Sequence, residues 1–229
     1  MAEVLISAKG LTRYYASGEV RVAALAGVDL SIGRGAYVVL AGRSGSGKTT
    51  LLNILGGLDR PASGSLTIAG QDMLAMTAAQ RADFRLNHLG FVFQSYNLIR
   101  VLSARENVAY VLQLQGMARK QRFELADHWL NEVGLKGFEH RRPDQMSGGQ
   151  QQRVAVARAL ASNPDLVLAD EPTANLDSHT GESLMALMRR LNEENGTTFV
   201  IASHDPAVIA SARRLIQMQD GRIESNTVV

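Results

Sequence analysis

The chain has 229 residues, 45% of them apolar, enough for one large domain or two lobes sharing a core. Lys and Arg number 24 against 22 Asp and Glu, and a net charge of +2 does not point to nucleic-acid binding by bulk electrostatics, so no nucleic-acid partner is expected. With no cysteine, a disulfide framework and a thiolate metal site are excluded.

The opening MAEVLISAKGLTRYY lacks a basic segment followed by an apolar run, so no secretory signal is expected. No window approaches the ~18–20 uninterrupted apolar residues of a membrane-spanning helix. VLISAKGL and VDLSI read as strands. Ala36 to Gly42, AYVVLAG, is a short β-branched run entering a glycine-rich turn. KTTLLNILGG then has helical spacing and stops at paired glycines. GSLTIAG reads as a strand, and Thr77 and Ser103 each head a capping-box pattern that opens a helix. Residues 95–161 read as mostly helical, lying between the strands LGFVF and DLVLAD. A helix follows with Leu184, Leu187, Met188 and Leu191 on one face, then the strand TTFVIAS, then a hairpin turning at Asp220-Gly221. Alternating strands and helices predict an α/β fold with a mainly parallel sheet and a helical insertion.

Gly42-Arg43-Ser44-Gly45-Ser46-Gly47-Lys48-Thr49 fits the phosphate-binding pattern GxxxxGK[ST], with a strand before it and a helix after it. Its glycines let backbone N–H groups converge, and the helix adds unpaired N–H groups and its positive dipole end. Lys48 supplies a charge for the β- and γ-phosphates, and Thr49 a hydroxyl for Mg²⁺. Thr50 belongs to the same helix start. The plainer reading, a glycine turn that only connects strand to helix, is outweighed by the Lys-Thr pair and its flanking elements.

Asp170 and Glu171 follow an apolar strand, where an open α/β sheet places its ligands. Asp170 suits a magnesium partner; Glu171 suits a proton acceptor that orients an attacking water. His204 follows another apolar strand, placed to contact the γ-phosphate or hold the water and Glu171 in line. Gln94 follows a third, and its amide can reach Mg²⁺ or the attacking water. Further along, Ser147, Gly148, Gly149 and Gln150 open a helix with exposed N–H groups. By local physics alone this is either a second phosphate site or an ordinary capped helix.

With these residues in view, the chain resembles the ATP-binding subunits of ABC transporters along essentially its whole length. GRSGSGKT resembles the Walker A loop, VFQ the glutamine loop and MSGGQQQR the family signature. LVLADE resembles Walker B, NLD the D-loop and SHD the switch-histidine segment. The resemblance implies a nucleotide-binding core (about residues 1–94 and 162–229) with an N-terminal antiparallel β subdomain. It further implies a helical subdomain over about 95–161. It implies ATP and Mg²⁺ as ligands, with Lys48, Glu171, His204 and Gln94 catalytic, and Thr49, Gln94 and Asp170 about the metal.

Two copies would pair head to tail, so that Ser147, Gly148, Gly149 and Gln150 of one meet the γ-phosphate held by the other, with Asp177 across the same interface. An aromatic stacks on adenine just before a Gly-Glu insertion in similar proteins; Gly18-Glu19 favours Tyr15 over Tyr14, and either is otherwise a packed strand residue. Met146 for Leu and Ala174 for Gly or Ser are departures that remove no reacting group, so an active enzyme is expected.

YYASGEVRVAALAGVDL, LNILGGLDRPASG and LADEPTANLD most resemble a bacterial group that includes lipoprotein-release, macrolide-export and cell-division ATPases. The expected partner is an integral-membrane permease on another chain, reached from the cytoplasmic face of the inner membrane, with Tyr96, Leu98 and Leu102 as candidate contacts or, alternatively, lobe core. A soluble repair or ribosomal ATPase would carry a long insertion or a second motif set, and neither is seen. A nucleotide-gated scaffold that does not turn over is opposed by the intact Glu171.

Overall fold

The computed structural model describes residues 3–17 and 20–228. Gly18 and Glu19, which guided the choice of Tyr15, lie outside the described residues. Strands β1 (Val4–Ser17) and β2 (Val20–Gly33) form an antiparallel pair that β4 (Ser63–Ile68) and β5 (Gln71–Asp72) extend, in the order β2-β1-β4-β5. The first two strands run 14 residues each, well beyond the stretches legible as strands. Register shifts at Ala8/Leu11 and Leu11/Thr12 absorb the intervening Gly10.

The second sheet contains β3 (Tyr37–Ala41), β6 (Leu89–Phe93), β7 (Leu166–Asp170), β8 (Thr198–Ser203), β9 (Arg214–Gln219) and β10 (Arg222–Val228), in the order β10-β9-β3-β8-β7-β6. From β9 to β6 every pairing is parallel. Only β10 is antiparallel, returning through Asp220 and Gly221, whose φ values of 47° and 74° suit the expected tight hairpin. Along β3 and β8 every residue is buried, as befits a parallel strand covered on both faces. Val39, Val167 and Phe199 face one core, and Val38, Leu168 and Val200 the other.

The second of these cores is closed by the antiparallel sheet and α1 (Lys48–Leu55). Helix α2 (Ala78–His88) adds Phe84 to it. The first core is closed by α3 (Ala104–Leu114), α4 (Arg119–Glu132), α5 (Gly148–Ala161) and α6 (Ser178–Asn195). Thr77, Ser103 and Ser147 each complete a reciprocal capping box with the Gln or Glu three residues on. A short α7 (Pro206–Ala210) is a helix that the periodicity did not reveal: Asp205 Oδ1 accepts the Ala207 N–H at 2.8 Å, and Pro206 occupies the first turn.

The stretch after β6 is folded differently from a row of outward apolar residues. Leu98 packs against the helical core and Leu102 is half-buried, so it is Ile99 and Val101 that stand exposed. The cause is Asn107 on α3, which is 1% exposed. Its Oδ1 accepts the Ile99 N–H at 2.8 Å, and its Nδ2 donates to the carbonyls of Ile99, Leu102 and Ser103 at 3.0–3.1 Å. Removing that amide leaves the part-buried Ile99 N–H and Leu102 carbonyl without this partner and loosens the loop. Asn107→Leu is therefore expected to destabilise the protein by about 2–3 kcal/mol, read as a lower urea midpoint at unchanged m.

Candidate functional site

Because β3, β6, β7 and β8 are mutually parallel in one sheet, their carboxyl ends emerge at one edge. The Gly42–Thr49 loop leaves β3, Gln94 leaves β6, Glu171 follows Asp170 at the end of β7, and His204 leaves β8. Topology alone thus gathers segments as far apart as Gly42 and His204, more than two-thirds of the chain, at the edge where α/β sheets bind ligands. There a cleft of about 470 Å³ is lined by Tyr15, residues 22–24, residues 44–50, Gln94, Glu171 and His204.

The loop is shaped by backbone that only glycine tolerates, as at Gly47. Gly47 caps α1 at φ 102°, and a Cβ there would sit 2.5 Å from the Ala24 carbonyl oxygen. Lys48, 6% exposed, folds back under the loop, and its Nζ donates to the Gly42 carbonyl at 2.6 Å and the Arg43 carbonyl at 3.1 Å. Gly42 and Arg43 therefore hold the lysine from behind; they line a neighbouring hollow against β9 and Glu224 rather than the cleft itself.

Thr49 Oγ1 donates to Asp170 Oδ1 at 3.2 Å, joining the hydroxyl and carboxylate expected about a magnesium ion. Among the described residues no three His, Asp or Glu cluster as a complete metal cage. A hydroxyl and a carboxylate beside a phosphate loop fit Mg²⁺, which keeps several waters and takes the rest of its shell from substrate phosphates. Burial is the main influence on the Asp170 carboxyl and, with the nearby Glu171 charge, holds its pKa above the ordinary value against the opposing Thr49 hydrogen bond and Lys48 charge.

The native state therefore binds this proton more tightly than the unfolded chain does. Its contribution to stability is lost as pH rises from the ordinary carboxylate pKa through the raised one. Asp170→Asn is accordingly expected to raise the Tm of the nucleotide-free protein at neutral pH. The gain should vanish in acid, and calorimetry without Mg²⁺ checks both.

Glu171 occupies the left-handed region at φ 46°, a conformation that costs an ordinary residue about 1 kcal/mol. Its N–H donates to the Ala202 carbonyl at 2.9 Å, which fixes the turn. Both carboxylate oxygens are engaged: Oε1 lies 2.8 Å from His204 Nδ1, and Oε2 accepts the Ser203 hydroxyl at 3.0 Å. The carboxylate is largely buried and the imidazole mostly exposed to the cleft. Ser203 was not singled out in the sequence. It is fully buried, accepts the Asp205 N–H at 3.1 Å and ties the Glu171 carboxylate to the start of α7.

Gln152 is a second residue that sequence reasoning missed. Fully buried on α5, its Nε2 donates to the carbonyls of Phe93 at 3.3 Å and Pro172 at 2.8 Å, the neighbours of Gln94 and Glu171. Gln94 is steadied further by Asn175, whose Nδ2 donates to its carbonyl at 3.0 Å.

Tyr15 lines the cleft and Tyr14 does not, as alternation along β1 requires of adjacent residues. Ser147, Gly148, Gly149 and Gln150 are not brought to this cleft either. Ser147 Oγ accepts the Gln150 N–H at 3.3 Å, and Gln150 Oε1 accepts the Ser147 N–H at 3.0 Å, so the capping box is closed on itself. Asp177 also lies away from the cleft, capping α6 by accepting from the Thr180 N–H at 3.0 Å and hydroxyl at 2.6 Å. The two groups expected to bind triphosphate thus occupy different places on one copy.

The profile described as "ABC transporter" matches residues 25–174. The chain is 47% identical over 223 residues to a macrolide export ATP-binding/permease protein MacB of Aggregatibacter actinomycetemcomitans, a match covering 97% of this chain and 34% of that protein. It thus spans about a third of the length of such relatives. It is 42% identical to a lipoprotein-releasing system ATP-binding protein LolD of Chromohalobacter salexigens, over 98% of this chain and 94% of that one. Among solved structures it is similar to MJ0796, described as a bacterial ABC transporter cassette in a dimeric structure. The TM-score is 0.91 at 42% identity, with 98% of each chain covered. A dimeric post-hydrolysis state of the same cassette bound to ADP and Pi gives a TM-score of 0.90.

Proposed function

The chain belongs to the ABC transporter family as an ATPase cassette, and from that premise we propose that it energises a membrane permease from the cytoplasmic face of the inner membrane. The proposed work is export or extraction of a lipoprotein, lipid, peptide or macrolide-like substrate. One observation carries the reading. Four parallel strand ends gather Lys48, Thr49, Gln94, Asp170, Glu171 and His204, while the Ser147 helix start lies elsewhere on the same copy.

In this reading the triphosphate lies along the Ser44–Gly47 backbone with Lys48 beside its β- and γ-phosphates. Adenine stacks on Tyr15. Thr49, Asp170 and Gln94 would hold Mg²⁺, which when bound neutralises charge on the phosphates. Glu171 accepts the proton of the attacking water, and His204 keeps that carboxylate and the γ-phosphate in line. Ser147, Gly148, Gly149 and Gln150 of a second copy close over the γ-phosphate, their N–H groups aligned with a helix dipole, and Asp177 lies in the same interface.

Residues 95–161 act as a helical subdomain that follows this closure. The permease docks beside the groove lined by Tyr96, Leu98, Arg100, Pro143 and Asp144, next to the exposed Ile99 and Val101. The described residues include no helix long and apolar enough to cross a membrane, so the membrane would be reached through that partner.

A shared site makes the rate depend on assembly. ATP turnover per chain is expected to rise with protein concentration until dimers saturate, and Ser147→Arg to abolish it while one copy still binds ATP. Turnover per chain that is flat with concentration and unaffected by Ser147→Arg would overturn the reading.

A further inference from the structure

Tyr15 does not stand alone at the mouth of the cleft. Arg13, two residues earlier on β1 and therefore on the same face of the strand, places its guanidinium 4.9 Å from the centre of the Tyr15 ring. Asp59 joins both side chains. Its Oδ2 accepts the Tyr15 hydroxyl at 2.8 Å and the Arg13 Nε–H at 2.9 Å, and its Oδ1 lies 2.9 Å from Arg13 Nη2.

Asp59 is itself anchored. It follows the paired glycines that end α1, its N–H donates to the Asn53 carbonyl at 3.1 Å, and its Oδ1 accepts the Arg60 N–H at 2.7 Å. The helix that carries Lys48 at one end thus holds, just past its other end, the carboxylate that fixes the Tyr15 ring.

We propose that Arg13 and Asp59 form a clamp that positions the Tyr15 ring for a nucleotide base and sets its distance from the phosphate loop. The clamp rests on the reading of Tyr15 as the base-stacking residue and adds two positioning residues to it. An aromatic ring has two faces. Arg13 covers one and draws on its π-electrons, which leaves the face toward the cleft for one electron-rich planar base. The Asp59 hydrogen bond removes rotation of the exposed ring, so less freedom remains to be lost when a base arrives. Neither residue lines the phosphate end, so the clamp should act on the base alone.

The test uses calorimetric titration of the full chain with Mg²⁺·ADP, which cannot be hydrolysed at a γ-phosphate, and with inorganic triphosphate, which has no base. Asp59→Ala and Arg13→Met are expected to weaken ADP roughly three- to tenfold, from the order of one lost charge-assisted contact. Binding of inorganic triphosphate and kcat at saturating ATP should stay unchanged. In a Tyr15→Ala background the same substitutions should add nothing further, whereas Tyr15→Phe, which keeps the ring and loses only the hydroxyl, should lie between wild type and Asp59→Ala.

If Tyr15→Ala itself leaves ADP affinity unchanged, the base-stacking reading fails. If Tyr15→Ala weakens ADP but Asp59→Ala and Arg13→Met do not, the clamp fails alone. Equal loss of ADP and inorganic triphosphate in the clamp variants marks a structural role and also overturns it.

Discussion

Glu171→Gln is expected to bind ATP about as tightly as the unaltered chain and to hydrolyse it at least 10²-fold more slowly, the loss typical of removing a general base. The local geometry makes this substitution clean. Glutamine has the length and shape of glutamate, so its amide can still accept the Ser203 hydroxyl and face His204 Nδ1 across the 2.8 Å contact. What disappears is the capacity to take a proton from water. The left-handed backbone at φ 46° is shared by both residues, so little of the effect comes from strain.

A second consequence follows from the composite site. If cleavage is what lets the two copies separate, blocking it with ATP present should trap the dimer, visible as a doubled mass by light scattering that reverts when ATP is removed. Retention of more than a tenth of the activity would show that the proton leaves by another route.

Much of this site was legible because its chemistry sits at chain positions with a local signature. A buried parallel strand is a short apolar run, and the residue after it stands at the sheet edge; Gln94, Asp170, Glu171 and His204 could all be placed that way. Capping boxes at Thr77, Ser103 and Ser147 are patterns of four residues and need no tertiary knowledge.

The missed residues act across the fold. Ser203 meets Glu171 over 32 positions, Gln152 meets Phe93 over 59, and Tyr15 meets Asp59 over 44. No local period encodes such pairings. Asp205 was passed over beside His204, although Asp-Pro is itself a helix-start signal, with Asp as the cap and Pro in the first turn. For Leu98 the sequence left surface contact and lobe core both open, because its inward turn is set by Asn107 on a neighbouring helix rather than by the apolar pattern of the loop.

Lys48→Met is expected to weaken ATP binding by roughly 10²-fold or more and to abolish measurable turnover. A charge-assisted hydrogen bond contributes about 1.5–3 kcal/mol, and two unit charges 4 Å apart near a protein surface interact by about 4 kcal/mol. Methionine fills the same space without the charge and leaves the Gly42 and Arg43 carbonyls without their donor. Lys48→Arg separates charge from geometry. The ammonium is held 2.6 Å and 3.1 Å from two carbonyls beneath the loop, in a position only 6% exposed. A guanidinium is planar, larger and forked, so it cannot occupy that point without lifting the loop. Arginine should therefore fail nearly as badly as methionine in ATP titrations, despite its charge. Recovery of binding in Lys48→Arg would mean that positive potential alone suffices, and that the two carbonyl contacts do not set the position of the charge.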